Sequence, residues 1–355
     1  MKKVAVLGGG ISGVFAAILI KEKHRDYEVT IFEHNDKLLK KVYATGNGKC
    51  NFANIGELKD KYSHEEFALP ILNNFNAQDV IKYFSTIGVK SKTIGDLVYP
   101  YSESAETVAT HLLKKVDELN INVCLSSHVK DYQNGQLLTD NGAFSYDALI
   151  ISIGGKSSPQ LGSNGNFFDV LLKHGYRFSE LSPSLCPIKV KENTKMVDGY
   201  RSKVTAYLYN KNQLIHEESG ELLFKKDGLS GMVILNLAHY INRLADKKDV
   251  KIKLDLAKGE DGDYDTLVHP KIAKYLLYNK LDIHNLTYTF KDFYGFDNSH
   301  VTSGGIQISE VDTNLLSKRE KNVYFTGEVL DVDGVCGGFN IMWALASAKR
   351  VSENI

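Results

Sequence analysis

The stretch GGGISG at residues 8–13 constrains the fold of this chain more than any other feature. It is a full G-x-G-x-x-G. A short β-rich run, Lys3 to Leu7, leads into it, and an apolar, alanine-containing helical run follows from Val14 to Ile20. In such a unit Gly8 makes the tight turn and Gly10 lets a pyrophosphate approach the backbone. Gly13 lets helix pack on strand, and the helix N-terminus faces the phosphates. A second β-rich run, EVTIF, then ends on Glu33, 20 positions after Gly13. That is where the acceptor for a ribose hydroxyl belongs. Strand, loop, helix, strand and terminal acid together predict a dinucleotide-binding βαβ unit. The bland reading of the same residues is a glycine-rich turn in an ordinary βαβ unit.

The opening also has the basic start and apolar core of a secretory signal. That reading fails at the cleavage site, because Lys21, Glu22, Lys23 and His24 follow the apolar run without an A-x-A pattern. Three successive glycines would also weaken a signal helix, at about 1 kcal/mol each against alanine. The expectation is a retained N-terminus and a cytoplasmic, reduced protein. Cys50, Cys124, Cys186 and Cys336 are far apart and form no CxxC, so neither a disulfide framework nor a zinc site is expected. No window approaches a membrane span.

At 355 residues the chain is long enough for two domains. Lys+Arg and Asp+Glu both number 43, so no net basic field favours nucleic acid, and the expected partner is a small-molecule substrate. Hydrolase and metalloprotease readings fail on spacing: GLSG at 228–231 is not G-x-S-x-G, and the 11 histidines include no H-E-x-x-H. His216 then reads as an exposed strand residue.

A second loop, Thr45-Gly46-Asn47-Gly48-Lys49-Cys50-Asn51, is packed with small and amide residues. It fails as a Walker A loop, because Tyr43 and Cys50 stand where glycine and Ser/Thr are required. Its backbone donors suit a pyrophosphate or a flavin edge, and a plain surface turn is the alternative. Further on, an apolar strand from Asp147 to Ile153 runs into Gly154-Gly155. Another, Asn322 to Thr326, closes on Gly327-Glu328, and Gly337-Gly338-Phe339-Asn340 leads into a final helix from Ile341 to Val351.

With these stretches in place, the chain resembles the bacterial FAD-dependent oxidoreductase family that includes aminoacetone oxidases and 3-dehydro-bile-acid reductases. The matching segments are GGGISGVFAA, LLKKVYATGNGKCNFAN, LVYPYSESAETV, IISIGGKSSPQLGSNG, GELLFKKDGLSG, VTSGGI and YFTGEVLDVDGVCGGFNIMWALASA. The resemblance implies a Rossmann-like α/β FAD-binding domain, discontinuous over 1–182 and 301–355. Between its parts would lie an inserted β-rich domain, 183–300, with a shortened helical part. It implies that Gly8, Gly10, Ser12 and Gly13 hold the FAD pyrophosphate and that Glu33 accepts from the adenosine ribose. Thr45, Gly46, Asn47, Gly48, Lys49, Cys50 and Asn51 would run along the pyrophosphate towards the isoalloxazine. Val129 would meet the adenine. Gly154 and Gly155 would let the backbone pass the cofactor, and Gly327 and Glu328 would approach the ribityl chain. Gly338, Phe339, Asn340 and Ile341 would set a helix N-terminus at the flavin pyrimidine edge, where reduced flavin is negative.

The chain departs from the family in three places. Lys49 replaces the usual Arg and cannot fork. Met232 follows GLSG instead of Pro. The chain is also shorter than is usual, between Leu256 and Asp297. Within the insert, Pro187 to Val190, Lys203 to Tyr209, Gln213 to Glu217, Leu222 to Phe224 and Lys251 to Leu256 read as strands of a small barrel or sheet, and Ser230 to Arg243 as a helix. Only one complete G-x-G-x-x-G is present, so NAD(P)H would dock transiently over the flavin, or oxygen would reoxidise it. The expected function is two-electron transfer between FAD and a small organic substrate. That substrate is expected between the 45–51 loop, the 302–305 turn and the insert. No catalytic acid or base is apparent. The alternative is a flavin-carrying sensor or RNA-associated module without turnover.

Overall fold

The computed structural model describes residues 1–355, which form two compact units: Met1–Leu181 with Thr302–Ile355, and Ser182–Val301. Each has its own core.

The first unit is built on a five-stranded parallel sheet. Strand β1 (Lys3–Leu7) sits at its centre, flanked by Ala148–Ile151 on one side and β2 (Glu28–Phe32) on the other. Val323–Phe325 and Asn122–Cys124 form the edges. The sequence forces this arrangement. Val4, Val6, Ile31, Phe32, Leu149, Ile150 and Ile151 form continuous apolar runs, as a sheet covered on both faces requires. Helix α1 (Ile11–Lys23) buries Val14 to Ile18 as an unbroken stretch, because it lies between the sheet and the C-terminal helix Phe339–Asn354. Lys21 and Lys23 in its last turn complement the helix dipole. No helix is long and apolar enough to cross a membrane.

The second unit contains a closed, six-stranded antiparallel barrel. Its order is Ile188–Val190, Gly228–Ser230, Gln213–Lys225, Arg201–Asn210, Val250–Asp255 and Leu286–Phe293, and the last strand pairs back to the first. Val204, Ala206, Leu208, Leu222, Phe224, Ile252, Leu254 and Tyr288 alternate inward to fill it. The stretches 213–217 and 222–224, which read as two strands, are one 13-residue strand. The polar run between them stays paired to Arg201–Asn210 throughout, so partner hydrogen bonds override its weak apolar pattern. Helix Met232–Asn242 packs on this strand. His216 is on the strand but is not fully exposed. It stacks on Tyr240 with ring centroids 3.8 Å apart, and its Nε2 lies 3.1 Å from Glu218. The segment 256–297 carries helix Pro270–Tyr278, which opens with proline at its first position and His269 Nδ1 accepting from Lys271 N.

One polar cluster in the first unit gives a pH signature to its stability. His174 bridges Glu320 (2.9 Å) and Asp131 (2.8 Å) and stacks on Tyr132, while Tyr132 and Tyr176 both donate to Glu320. Burial pulls the imidazole down, but its bonds to Asp131 and Glu320 outweigh that and raise its pKa. A raised imidazole stabilises the fold in its charged form. That contribution is fully present below about pH 6.5 and is lost as the pH rises through the raised folded-state value. The urea midpoint of the wild type should therefore exceed that of His174→Gln at pH 6, with the gap shrinking at alkaline pH. A pH-independent gap would contradict this.

Candidate active site

The glycines of the first loop have different reasons to be glycine. At Gly8, φ is +109° and a Cβ would strike the Ser152 carbonyl. A Cβ at Gly9 would run into Leu38 and Glu33. At Gly13 it would collide with Gly8 O and Ser152 Oγ, which is the close strand–helix approach expected there. Gly10 differs. It is exposed, has φ −72° and ψ 179°, and has no heavy atom within 4 Å of a Cβ built on it. Nothing in the chain itself demands glycine at position 10. Gly10 caps α1 without a side chain, so the first-turn N–H groups of Ile11, Ser12 and Gly13 have no capping acceptor.

Glu33 closes this cradle. It is buried at the end of β2, where Oε2 accepts from Gly9 N at 2.7 Å and Oε1 accepts from Asn35 N and Nδ2 at 2.8 and 2.7 Å. A carboxylate oxygen accepts about two hydrogen bonds, so Oε2 can take one more donor. Val129 is tied to this corner indirectly: Ser127 N donates to Glu33 O, and Val129 opens the strand that follows.

Gly327 joins the cradle from the C-terminal side. A Cβ there would lie 2.7 Å from Ser12 Oγ, its N–H donates to Ser347 Oγ, and its carbonyl accepts from Trp343 Nε1. Next to it, Glu328 accepts from Thr302 N at 2.8 Å and pairs with Lys41 Nζ at 3.0 Å. Thr302 Oγ1 in turn accepts from Lys156 N and Ser157 N. Gly155 sits against this group, with 2.6 Å from its would-be Cβ to Glu328 Oε1. Gly154, at φ +73°, faces Ser163 Oγ.

The 45–51 loop is a tight turn with Gly46, Asn47, Gly48 and Cys50 all in the left-handed region. Thr45 Oγ1 donates to Val42 O, and Cys50 N returns to Thr45 O. Burial pushes the Cys50 thiol up to about 11, so it is neutral near pH 7 and serves as packing. The Lys49 ammonium is committed to Glu103 at 2.6 Å. With Lys92 it holds that carboxyl down to about 2. Asn51 Oδ1 is buried without a hydrogen-bond partner. It lies 2.8 Å from where a Cβ of Gly338 would stand, at φ +92°. Gly338 is the bare cap of the C-terminal helix, so the N–H groups of Phe339, Asn340 and Ile341 also lack a capping acceptor. The Phe339 carbonyl accepts from Tyr62 OH, and the Asn340 side chain is spent on both backbone groups of Gly334.

The fold thus brings the 8–13 loop, Glu33, Gly155, Gly327, Glu328, Asn51 and Gly338 onto one connected framework. It turns the Lys49 side chain to Glu103 and uses Asn340 internally. Sequence reading missed Lys41, whose only signal was a cation four residues before Thr45.

Known proteins resemble this chain over nearly its whole length. The family model described as the HI0933-like protein Rossmann domain matches residues 2–354. The 3-dehydro-bile acid delta(4,6)-reductase of Clostridium scindens is 27% identical over 397 aligned residues, covering 98% of this chain and 97% of the reductase. That alignment is longer than the 355-residue chain, so the relative carries residues this chain lacks. The ribosomal RNA dihydrouridine synthase of Haemophilus influenzae is 25% identical, covering 99% of this chain and 97% of the synthase. Among solved structures, the open conformation of a flavocytochrome c3 fumarate reductase shares the fold. Its TM-score is 0.53 at 15% identity, covering 99% of this chain and 78% of that one.

Proposed function

This chain belongs to the HI0933-like Rossmann-domain family, and from that premise we propose that it is an FAD-dependent reductase that adds hydrogen across a carbonyl-conjugated carbon–carbon double bond of a small organic molecule. NAD(P)H is the proposed reductant. Bound FAD supplies the two-electron, hydride-type chemistry; the chain supplies the rest.

The observation that carries the FAD reading is Gly10. Its neighbours are glycine for reasons internal to the fold, whereas a Cβ on Gly10 would enter open space beside uncapped N–H groups. A pyrophosphate needs that space and those donors. The remaining residues fit the same group. Glu33 Oε2 has room for a ribose hydroxyl, which favours FAD over FMN. The orphaned Asn51 Oδ1 and the uncapped N–H groups after Gly338 offer an acceptor and donors to the edge of a flavin ring. Gly8, Ser12, Gly13, Gly154, Gly155 and Gly327 hold the backbone close, and Lys41 fixes Glu328 beside them.

The reductase direction is supported by the names of the two relatives, since a delta(4,6)-reductase and a dihydrouridine synthase both saturate a carbon–carbon double bond. A small molecule is favoured over RNA because the chain has 43 basic and 43 acidic residues and so lacks the cationic excess that RNA binding uses. Acid extraction of the purified protein should release FAD in a 1:1 ratio, and anaerobic NADH or NADPH should bleach the flavin band. Release of FMN would contradict the Glu33 assignment. Bound FAD that exchanges electrons with no donor would leave the sensor reading in its place.

A further inference from the structure

The chain's charges balance overall, at 43 basic and 43 acidic residues, yet residues 269–281 contain three lysines and no acidic residue. We infer that the outer face of helix Pro270–Tyr278, with the neighbouring turn Lys195–Val197, docks on an anionic lipid bilayer.

The helix has two distinct faces. Ile272, Ala273, Tyr275 and Leu276 are buried and supply its core contacts. Tyr275 OH donates to Asn193 O at 3.1 Å, and the turn Lys195–Val197 packs against the same helix. Held this way, the helix leaves Leu277 and Tyr278 in water. They are 65% and 75% exposed, the highest values among large apolar side chains of the second unit. No other two exposed large apolar residues of the chain adjoin in sequence. Met196, 43% exposed, extends the apolar surface from the turn. Single exposed apolar residues are ordinary on a protein surface, whereas a group of them rimmed by charge marks a place of contact.

The rim here is cationic. Lys271, Lys274 and Tyr278 follow one another at three- and four-residue spacing and share one side of the helix. Lys280 comes just after it, and Lys195 stands beside Met196. All four lysines are exposed, and none forms an ion pair. The acids flanking the face are Asp198 and Asp282, and Asp282 Oδ1 already accepts from His284 N. Positive charge is therefore in excess.

That charge selects the occupant. A two-fold contact with a second copy would set the lysines of one face against those of the other. An acidic protein would need a pocket shaped to Leu277 and Tyr278, as anchor residues require. A bilayer needs no matching shape. Leucine and methionine enter the boundary between headgroups and acyl chains, the tyrosine ring sits at headgroup level, and the ammonium groups meet the lipid anions.

The test is flotation of the purified protein with vesicles of equal parts phosphatidylcholine and phosphatidylserine, and with vesicles of phosphatidylcholine alone. The wild type should float with the first and not with the second. It should be released at about 1 M salt, where screening acts within about 3 Å. Each lysine near an anionic surface contributes roughly fivefold, so Lys271→Gln with Lys274→Gln should weaken binding roughly 30-fold. Leu277→Ser with Tyr278→Ser leaves the charge unchanged and should weaken it by at least about tenfold. Both double variants should keep the wild-type melting temperature, because all four side chains are exposed. Failure of the wild type to float with either vesicle would overturn the proposal, as would full-strength binding by either double variant. Tighter binding of poly-glutamate than of vesicles would overturn it in favour of an acidic protein. Dimerisation in analytical ultracentrifugation that Leu277→Ser with Tyr278→Ser abolishes would overturn it in favour of a second copy.

Discussion

Gly10→Val is expected to purify folded and colourless. The backbone at position 10 is extended, so valine fits it without strain, and its Cβ meets no atom of the chain. Its methyl groups would occupy the space assigned to the pyrophosphate and shield the uncapped N–H groups of α1. Affinity for FAD should fall by at least about 100-fold, or about 2.7 kcal/mol, with the melting temperature of the FAD-free protein unchanged. Gly13→Val is the contrast. Its side chain would drive into Gly8 O and Ser152 Oγ, and backbone cannot step aside cheaply, so this variant should fail to fold. Two glycines three residues apart would then separate ligand binding from folding. Wild-type FAD affinity in Gly10→Val would remove the main support for the cofactor site.

Glu33→Ala should lose on both counts. Removing the carboxylate leaves the buried Gly9 N–H without its acceptor and frees both donors of Asn35. Stranding such groups costs about 1–3 kcal/mol of stability. The bond to the adenosine ribose disappears as well, worth about 1.5–3 kcal/mol or roughly 10- to 150-fold in FAD affinity. Glu33→Gln keeps one acceptor oxygen and the shape, so it should recover much of the melting temperature and little of the affinity. Binding of FMN, which has no adenosine ribose, should change far less than binding of FAD in either variant. Calorimetric titration of the FAD-free proteins with both flavins, alongside thermal melts, checks the pattern. An unchanged ratio of FAD to FMN affinity would contradict the assignment.

The readable parts of this fold are those with local causes. Lys3–Leu7, the GGGISG loop, α1 and β2 follow from apolar period and glycine placement within 33 residues, and the parallel sheet follows from unbroken apolar runs. The barrel was only partly readable. Its strands alternate, but closure depends on Leu286–Phe293 pairing back to Ile188–Val190, a register that no nearby residue encodes. The single strand Gln213–Lys225 was hidden because its polar centre is held by its partner and not by burial. At the site, the glycines announced themselves while their partners did not. Lys41 and Glu328 are 287 residues apart. Lys49 could be placed on its loop from sequence, but its attraction to Glu103, 54 residues on, could not.

The central claim, that bound FAD passes a hydride equivalent to a conjugated double bond, reduces to one anaerobic rapid-mixing measurement. The holoprotein is reduced with one equivalent of dithionite, so that no assumption about nicotinamide enters, and mixed with 2-cyclohexenone or with its saturated analogue, cyclohexanone. The account predicts that the oxidised flavin band returns in a single turnover with the enone, with one equivalent of cyclohexanone formed, and stays bleached with the saturated ketone. A flavin that stays bleached with both would contradict it.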